Sequence, residues 1–253
     1  MWNWSERYRA EASQRRSGFI FRGACKSGEI PVIEAFIDND AQPAVRGFLH
    51  RPAQGNGSAI ALTHGAGANC QSRLLTALAS ALAETGFIVL RCDLPFRQQR
   101  PHGPPSPGGA ANDRAGLWRA VEAMKRLGSD RVFLGGHSYG GRQATMLAAD
   151  LDHDEKQIIA GLLLLSYPLH PPRKATELRT GHFPKLTTPA LFVHGSRDPF
   201  GSMDEMKSAL SLIPAKTMLL DVSGAGHELM SAKAAQDLQG QVTEAFRNFF
   251  LLT

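Results

Sequence analysis

The sequence predicts an α/β fold with about eight strands in a mostly parallel sheet and helices on both faces. Two observations predict it. Apolar strands alternate with helical segments from residue 58 onward, and this alternation is typical of parallel sheets, whose strands are joined by helical crossovers. Several strands are also continuously apolar, such as LLLL at 162–165, which indicates strands covered on both faces.

Length and composition are those of an ordinary globular domain. Of the 253 residues, 43% are hydrophobic and 20% are charged. We expect a polar arm over residues 1–28 and one domain over residues 29–253. No apolar run approaches the roughly 18 residues that span a bilayer, and charged residues interrupt residues 1–19. The sequence therefore predicts no membrane span and no secretory signal, and we expect a cytoplasmic protein.

Charge and cysteine usage exclude two further classes of protein. The 28 lysines and arginines exceed the 23 acidic residues and give a formal charge of +5. No basic stripe with interleaved aromatic residues is present, so we predict no nucleic-acid binding. Cys25, Cys70 and Cys92 have no C-x-x-C spacing, which favours buried thiols over a disulfide framework. The sequence indicates no cofactor and no particular oligomeric state.

The first elements form an antiparallel hairpin. IPVIEAFID (30–38) and AVRGFLHRP (44–52) alternate between apolar and polar residues on either side of the turn NDAQP, which is the pattern of two paired strands. A different pattern occupies residues 95–111, which contain five prolines and three glycines. That composition predicts a long surface loop.

Strands and helices alternate through the rest of the chain. Short apolar runs predict strands at 58–65, 87–93, 131–136, 159–168, 189–195 and 216–222. Helical spacing of apolar residues predicts helices at 73–86, 112–128, 139–150, 203–214 and 232–250. Only about 23 residues separate Leu165 from Pro189, too few for a large lid domain. We therefore expect an open site.

A serine between glycines directly follows the strand RVFLGG. Gly136, Ser138 and Gly140 form a G-x-S-x-G sequence just ahead of a helix, which is typical of the sharp turn that exposes a nucleophilic serine. Glycines allow the strand and the helix to pack closely around a strained residue. We therefore predict that Ser138 is a nucleophile.

A serine hydroxyl needs a base and an acid that orients the base. Asp198 follows the apolar strand of LFVHGSRD, and His227 follows the next strand. The order Ser138, Asp198, His227 is the one expected when a nucleophile of this type is followed by its partners. Asp221, inside LLDV, is the second choice for the acid.

An oxyanion needs backbone donors as well. THGAG at 63–67 follows a strand and precedes its helix, so the amide of Ala66, or that of Gly67, is expected to donate beside the amide of Tyr139. The predicted substrate-binding residues stand at strand ends and in the loops that follow: His64, Gly67, His137, His170 and Phe200. The histidines, His194 included, match no H-x-x-x-H or H-E-x-x-H pattern, so we predict no metal site.

Four other charged residues lie near the predicted site. Asp93 ends the strand FIVLRCD and is expected to fix loop backbone. Arg142, on the helix after the serine, is expected to pair with a buried acid. Arg97 and Arg100 lie in the proline-rich segment and, with His170, are available to meet an anionic group of the substrate.

These segments together resemble an α/β-hydrolase from about residue 29 onward. More narrowly, the chain is similar to a dienelactone-hydrolase-like branch that includes a testis-expressed protein and the hydrolase-like subunit of a nuclear acetyltransferase complex, in the segments THGAG, LRCDLPFR, FLGGHSYGGRQA, LLLSYPLHPP and LFVHGSRD. The resemblance implies Ser138 as nucleophile, Asp198 as acid and His227 as base. Dienelactone hydrolases use cysteine as nucleophile, so the serine here argues against their substrate.

The sequence thus predicts a serine hydrolase that cleaves a small or medium carboxylic ester or thioester through an acyl-serine intermediate. Two other classes stay open. One is a catalytically idle module of the same fold that binds other proteins. The other is a different reaction at the same three residues, such as that of a peptidase or an acyltransferase.

Overall fold

The computed structural model describes residues 30–230 and 238–251. The predicted arm at 1–28, Cys25 and residues 232–237 of the predicted closing helix lie outside these ranges. The strands of the described chain are Val32–Asp38 (β1), Val45–Arg51 (β2), Ser58–Thr63 (β3), Ile88–Cys92 (β4), Arg131–His137 (β5), Ile159–Leu165 (β6), Ala190–Gly195 (β7) and Thr217–Val222 (β8).

All eight strands belong to one sheet, in the order β1-β2-β4-β3-β5-β6-β7-β8. β1 pairs with β2 in antiparallel register, as the predicted hairpin requires. β2 also pairs with β4 in antiparallel register. Every other pair is parallel. Because parallel strands end at the same edge of a sheet, the loops that follow β3, β5, β7 and β8 meet there.

Helices cover both faces of the sheet, as predicted. In chain order they are Arg73–Glu84 (α1), Pro95–Gln99 (α2), Ala110–Arg126 (α3), Tyr139–Asp150 (α4), His153–Lys156 (α5), Met203–Leu210 (α6) and Leu238–Phe250 (α7). A 3-10 turn at Phe183–Lys185 lies in the short connection between β6 and β7. No separate lid domain interrupts the described chain.

Two apolar clusters fill the space between the sheet and its helices. One face packs against α3, α4 and α6, and the other against α1 and α7. In α1, Leu74, Leu75, Leu78 and Leu82 are all nearly or fully buried, and each such side chain contributes about 1.5–3 kcal/mol when it leaves water. The Ser72 hydroxyl caps α1 by accepting from the Leu75 amide, and the chain leaves the helix at Gly86, whose φ is 96°.

The prediction of one long surface loop over residues 95–111 is wrong at both ends. Residues 95–99 form α2, in which Pro95, Phe96 and Arg97 are buried, and α3 begins at Ala110. A proline at the first position of a helix loses no hydrogen bond, because the first amides of a helix have no partner within it. Only residues 100–109 form the loop.

Candidate active site

Ser138 occupies the turn between β5 and α4 with φ 51° and ψ −114°. A positive φ at a non-glycine residue costs of order 1–3 kcal/mol and persists where the surrounding structure fixes it. Here the Ser138 amide donates to the Leu165 carbonyl at 2.8 Å, and the Ser138 carbonyl accepts from the Arg142 amide at 3.0 Å. The strained backbone is therefore held by both β6 and α4, while the serine itself is partly exposed.

Close packing requires the glycines on either side of Ser138. A Cβ on Gly140 would lie 2.6 Å from the His64 carbonyl oxygen, and a Cβ on Gly136 would lie 2.9 Å from the Thr63 carbonyl oxygen. Both contacts are with backbone, which cannot move aside as the end of a side chain can. The two glycines thus let α4 approach the end of β3 beneath the serine.

Ser138, His227 and Asp198 form one chain of hydrogen bonds. His227 Nε2 lies 2.7 Å from Ser138 Oγ, and His227 Nδ1 lies 2.8 Å from Asp198 Oδ2. With Nδ1–H donating to the carboxylate, Nε2 is left to accept from the serine hydroxyl. The structure therefore brings together three side chains that are 60 and 29 residues apart in sequence. Asp221, the second choice for the acid, lies on β8 and is exposed.

Two neighbours fix the position of His227. The partly buried ring of Phe200 lies on the imidazole, with 4.2 Å between ring centroids, and the Phe200 amide donates to Asp198 Oδ1 at 2.9 Å. On the other side, His137 Nε2 bonds to the His227 carbonyl at 2.9 Å. Because burial lowers the pKa of His137, this ring is neutral and donates from Nε2.

The segment 64–68 lies beside Ser138 at the end of β3. A Cβ on Gly65 would lie 3.4 Å from the Ser138 Cβ and only 3.0 Å from His137 Nδ1, so a side chain there would press on the His137 ring. The Ala66 amide donates to no backbone acceptor within the described ranges, and the Tyr139 amide is the first of α4, where amides have no partner in the helix. Gly67 is exposed, and a Cβ on it would contact nothing within 4 Å.

Arg97 holds this segment in place rather than facing the substrate. Its guanidinium donates to the carbonyls of Ala68 at 2.8 Å, Ala66 at 2.7 Å and Gly103 at 3.0 Å. Arg97 is only 2% exposed. The expectation that it meets an anionic substrate group is therefore wrong, and its charge is used on backbone carbonyls. Arg100 likewise donates to the Pro104 carbonyl.

His64 is also a support of this loop. It is fully buried, its Nδ1 bonds to the Gly65 carbonyl at 2.8 Å, and its Nε2 accepts from the Leu94 amide at 3.1 Å. Burial lowers the pKa of His64, which agrees with a neutral ring. Asp93 fixes backbone as expected, because its carboxylate accepts from the Cys70 amide at 2.7 Å.

His170 and His194 are buried behind the site. His170 Nδ1 bonds to the Pro171 carbonyl, and its Nε2 lies 3.5 Å from Glu205 Oε2. His194 is fully buried, and its Nε2 bonds to the Gly201 carbonyl at 2.7 Å. The structure therefore places neither ring on an open surface. Of the predicted substrate-binding side chains, Phe200 is the one that is partly exposed beside His227.

Sequence reasoning missed Asp113. This buried carboxylate on α3 accepts from the Phe96 amide at 3.0 Å and from the Tyr139 hydroxyl at 2.8 Å. Burial raises the pKa of Asp113, and burial together with Asp113 raises the pKa of Tyr139. Asp113 thereby joins α2 to the residue that follows Ser138. The signal in the sequence is an acidic residue within the first turn of a predicted helix, which also suits an ordinary N-terminal charge.

The described residues contain no group of three or more His, Cys, Asp and Glu side chains that could hold a metal ion. Cys70 and Cys92 are buried, as expected, and burial raises the pKa of Cys92 to about 12. None of the helices within residues 30–230 and 238–251 is long and apolar enough to cross a membrane.

A family model of the alpha/beta hydrolase domain matches residues 56–250, which is more than half of the chain. The chain belongs to the alpha/beta hydrolase domain family. Membership of this family supports hydrolase activity in general, and the strand order and the turn at Ser138 are the parts of the fold that position such a site.

Solved structures share this hydrolase fold at low sequence identity. A dienelactone hydrolase from Anabaena variabilis has a TM-score of 0.69 and 18% identity, over 88% of this chain and 100% of that one. A serine hydrolase without a lid from Xanthomonas campestris has a TM-score of 0.67 and 16% identity, over 88% and 97%. Est1E from Butyrivibrio proteoclasticus has a TM-score of 0.64 and 19% identity, over 86% and 98%. These similarities confirm the predicted fold.

Proposed function

We propose that this hydrolase cleaves a small or medium carboxylic ester or thioester through an acyl intermediate on Ser138. The observation that supports it is the unbroken hydrogen-bonded chain from Ser138 Oγ through His227 to Asp198. This chain lies at the edge of the sheet where β3 ends and the segment 64–68 begins. Such a chain is the arrangement that makes a serine hydroxyl nucleophilic at neutral pH.

In the first half-reaction, Ser138 Oγ attacks the carbonyl carbon and its proton passes to His227 Nε2. The amides of Ala66 and Tyr139 stabilise the oxyanion, with the Gly67 amide as the alternative to Ala66. The tetrahedral intermediate then collapses: the bond to the leaving oxygen or sulfur breaks, the leaving group takes the proton from His227, and an acyl-Ser138 ester forms.

In the second half-reaction, water replaces the alcohol or thiol. His227 removes a proton from the water, the resulting hydroxide attacks the acyl carbon, and collapse returns the proton to Ser138 Oγ while the carboxylic acid leaves. Asp198 keeps its negative charge throughout and holds the imidazole in the required tautomer. Each step needs only the three side chains, water and the two amides.

The remaining details of the proposal come from the sequence. The connection between β6 and β7 is short, which favours substrates that reach Ser138 from an open cleft beside Phe200. The segment SYPLHPP at 166–172 supports the narrower dienelactone-hydrolase-like branch. The serine at 138 favours esters other than dienelactone.

A substrate panel tests this function. We expect the purified chain to hydrolyse p-nitrophenyl esters of short acyl chains and acyl thioesters, and Ser138→Ala to reduce kcat by at least about 10³-fold. Turnover of peptides in place of esters would indicate a peptidase, and transfer of the acyl group to an added amine or alcohol in place of water would indicate an acyltransferase. If a folded protein turns over no member of the panel, the idle module is favoured instead.

A further inference from the structure

Arg142 carries an unpaired positive charge one helical turn from the nucleophile. Residues four apart lie on the same face of a helix, and the Arg142 amide bonds to the Ser138 carbonyl. The sequence predicts an ion pair with a buried acid, which is wrong: no carboxylate of the described residues forms an ion pair with Arg142. Its Nε is buried and has no hydrogen-bond partner.

A second arginine, Arg179, belongs to the segment after β6 that contacts α4 through His182 and Thr145. The Arg179 backbone is fixed twice, because its amide donates to the Leu169 carbonyl at 2.8 Å and its carbonyl accepts from the Tyr167 hydroxyl at 2.7 Å. The Arg179 guanidinium has one long bond, of 3.4 Å, to the Pro168 carbonyl. Burial and then the charge of Arg142 lower the pKa of Arg179, which is the direction expected when two cations lie near each other.

His182 is the third side chain of this group, and we call Arg142, Arg179 and His182 together the cluster. Its Nε2 lies 2.9 Å from Thr145 Oγ1, and the Thr145 hydroxyl donates to the Arg142 carbonyl at 2.9 Å. Because the threonine proton is used on that carbonyl, His182 must donate from Nε2. Burial and then the charge of Arg142 lower the pKa of His182 to about 4. His182 is therefore neutral near pH 7 and adds no charge.

The acidic groups near the cluster do not neutralise it. Asp113 is bound to the Phe96 amide and the Tyr139 hydroxyl. Glu177 is exposed and pairs with Lys174 at 2.8 Å. Asp150 is exposed at the last residue of α4. Two partly buried guanidinium groups without a carboxylate partner repel each other, and an anion between them would remove that cost.

We propose that Arg142 and Arg179 form an anion-binding subsite that receives a carboxylate or phosphate group of the substrate while its ester carbonyl lies at Ser138. Planar guanidinium groups bind both anions through paired N–H donors. That the anionic group belongs to a substrate of Ser138 rests on the proposed function. Anion binding itself requires no turnover, so the two can be tested separately.

Binding is measured by isothermal titration calorimetry of the Ser138→Ala protein with glutarate and, separately, with inorganic phosphate. We expect one of the two anions to bind, and its affinity to fall about tenfold or more in Arg142→Gln and in Arg179→Gln. Arg131→Gln is the control. It removes the same charge, but Arg131 is exposed at the opposite end of β5. Failure of both anions to bind, or equal binding by all three arginine variants, would overturn the subsite.

Kinetics then connect the subsite to the reaction. We expect the ratio of kcat/KM for p-nitrophenyl hemiglutarate to that for p-nitrophenyl hexanoate to fall about tenfold in Arg142→Gln and Arg179→Gln if glutarate is the anion that binds. The ratio should stay constant in Arg131→Gln and decrease with salt in wild type. Turnover of the neutral ester with an unchanged ratio contradicts the subsite alone, whereas turnover of neither ester contradicts the proposed function. Melting temperatures identify a variant that fails to fold, and the second arginine variant then decides.

Discussion

Arg97 is a side chain of α2 that binds the backbone of residues 64–68 beside Ser138. We expect Arg97→Lys to lower kcat by about tenfold or more while KM changes little, because an ammonium group cannot span the carbonyls of Ala66, Ala68 and Gly103 at once. Steady-state kinetics with one p-nitrophenyl ester measure the effect.

The control for Arg97→Lys is Arg100→Lys, which alters the neighbouring arginine with its exposed bond to Pro104. An equal loss of kcat in both variants would show that Arg97 has no particular role in positioning the segment. A fall in melting temperature with unchanged kcat would indicate that Arg97 contributes to folding only.

The convergence of Ser138, Asp198 and His227 was easier to predict than the contacts of the polar side chains around them. Each of the three follows a strand of a parallel sheet, in the order expected of a nucleophile, an acid and a base. His64, His170 and Arg97 stand at positions that also suit a substrate contact. The sequence does not reveal that each of them instead binds backbone carbonyls. The ion pair predicted between Arg142 and a buried acid is absent from the described residues, and Arg142 Nε is buried without a hydrogen-bond partner.

The turn from β5 to α4 depends on glycines that no other residue can replace. We expect Gly140→Ala to destabilise the fold by about 1–3 kcal/mol, because its Cβ would overlap backbone at the end of β3. Gly55→Ala is the control, since a Cβ on this exposed glycine contacts nothing within 4 Å. Urea denaturation measures both, and an equal free energy of unfolding for the two variants would contradict the packing argument.

Long periodic elements were predictable, and short ones were not. The seven residues of β2 and the twelve of α4 carry strong apolar patterns, and their observed bounds lie within about a residue of the prediction. α2 has five residues, too few for a helical period to appear in the sequence. It is held by the bond of the Phe96 amide to Asp113 on α3 and by the bond of Arg97 to the Gly103 carbonyl. Its fold is therefore set by tertiary contacts.

The molecule as a whole should lose stability in mild acid. His64, His137 and His182 are neutral in the folded protein because burial lowers the pKa of each. In the unfolded chain they take up protons as the pH falls through about 6.5, whereas folded His182 does so only near 4. The unfolded state thus binds more protons in this interval, so the free energy of unfolding decreases as the pH is lowered.

When the pH is lowered from about 7 to about 5, we expect the free energy of unfolding to fall less in His182→Asn than in wild type, by on the order of 1 kcal/mol. Asparagine can still donate to Thr145 but takes up no proton. Denaturation curves at several pH values measure the difference, with His102→Asn, on the exposed loop, as control. Parallel pH profiles for wild type and His182→Asn would show that His182 is not held neutral by the fold.

The topology of the whole sheet makes the site possible, since it brings residues from β5, β7 and β8 to one edge. The mostly parallel sheet was predictable because strands alternate with helices along the chain, whereas the order of the strands was not part of the prediction. Contacts such as that of Thr145 with His182, which joins the segment after β6 to α4, have no pattern in the sequence and could not be predicted.

Reaction with a fluorophosphonate, followed by mass spectrometry of the modified peptide, tests whether Ser138 is an activated nucleophile. We predict stoichiometric modification of Ser138 in wild type, much slower modification in Asp198→Asn, where the imidazole loses its orienting carboxylate, and none in Ser138→Ala. A folded wild-type protein that remains unmodified, or one that is modified at another residue and equally in Ser138→Ala, would contradict a nucleophilic Ser138.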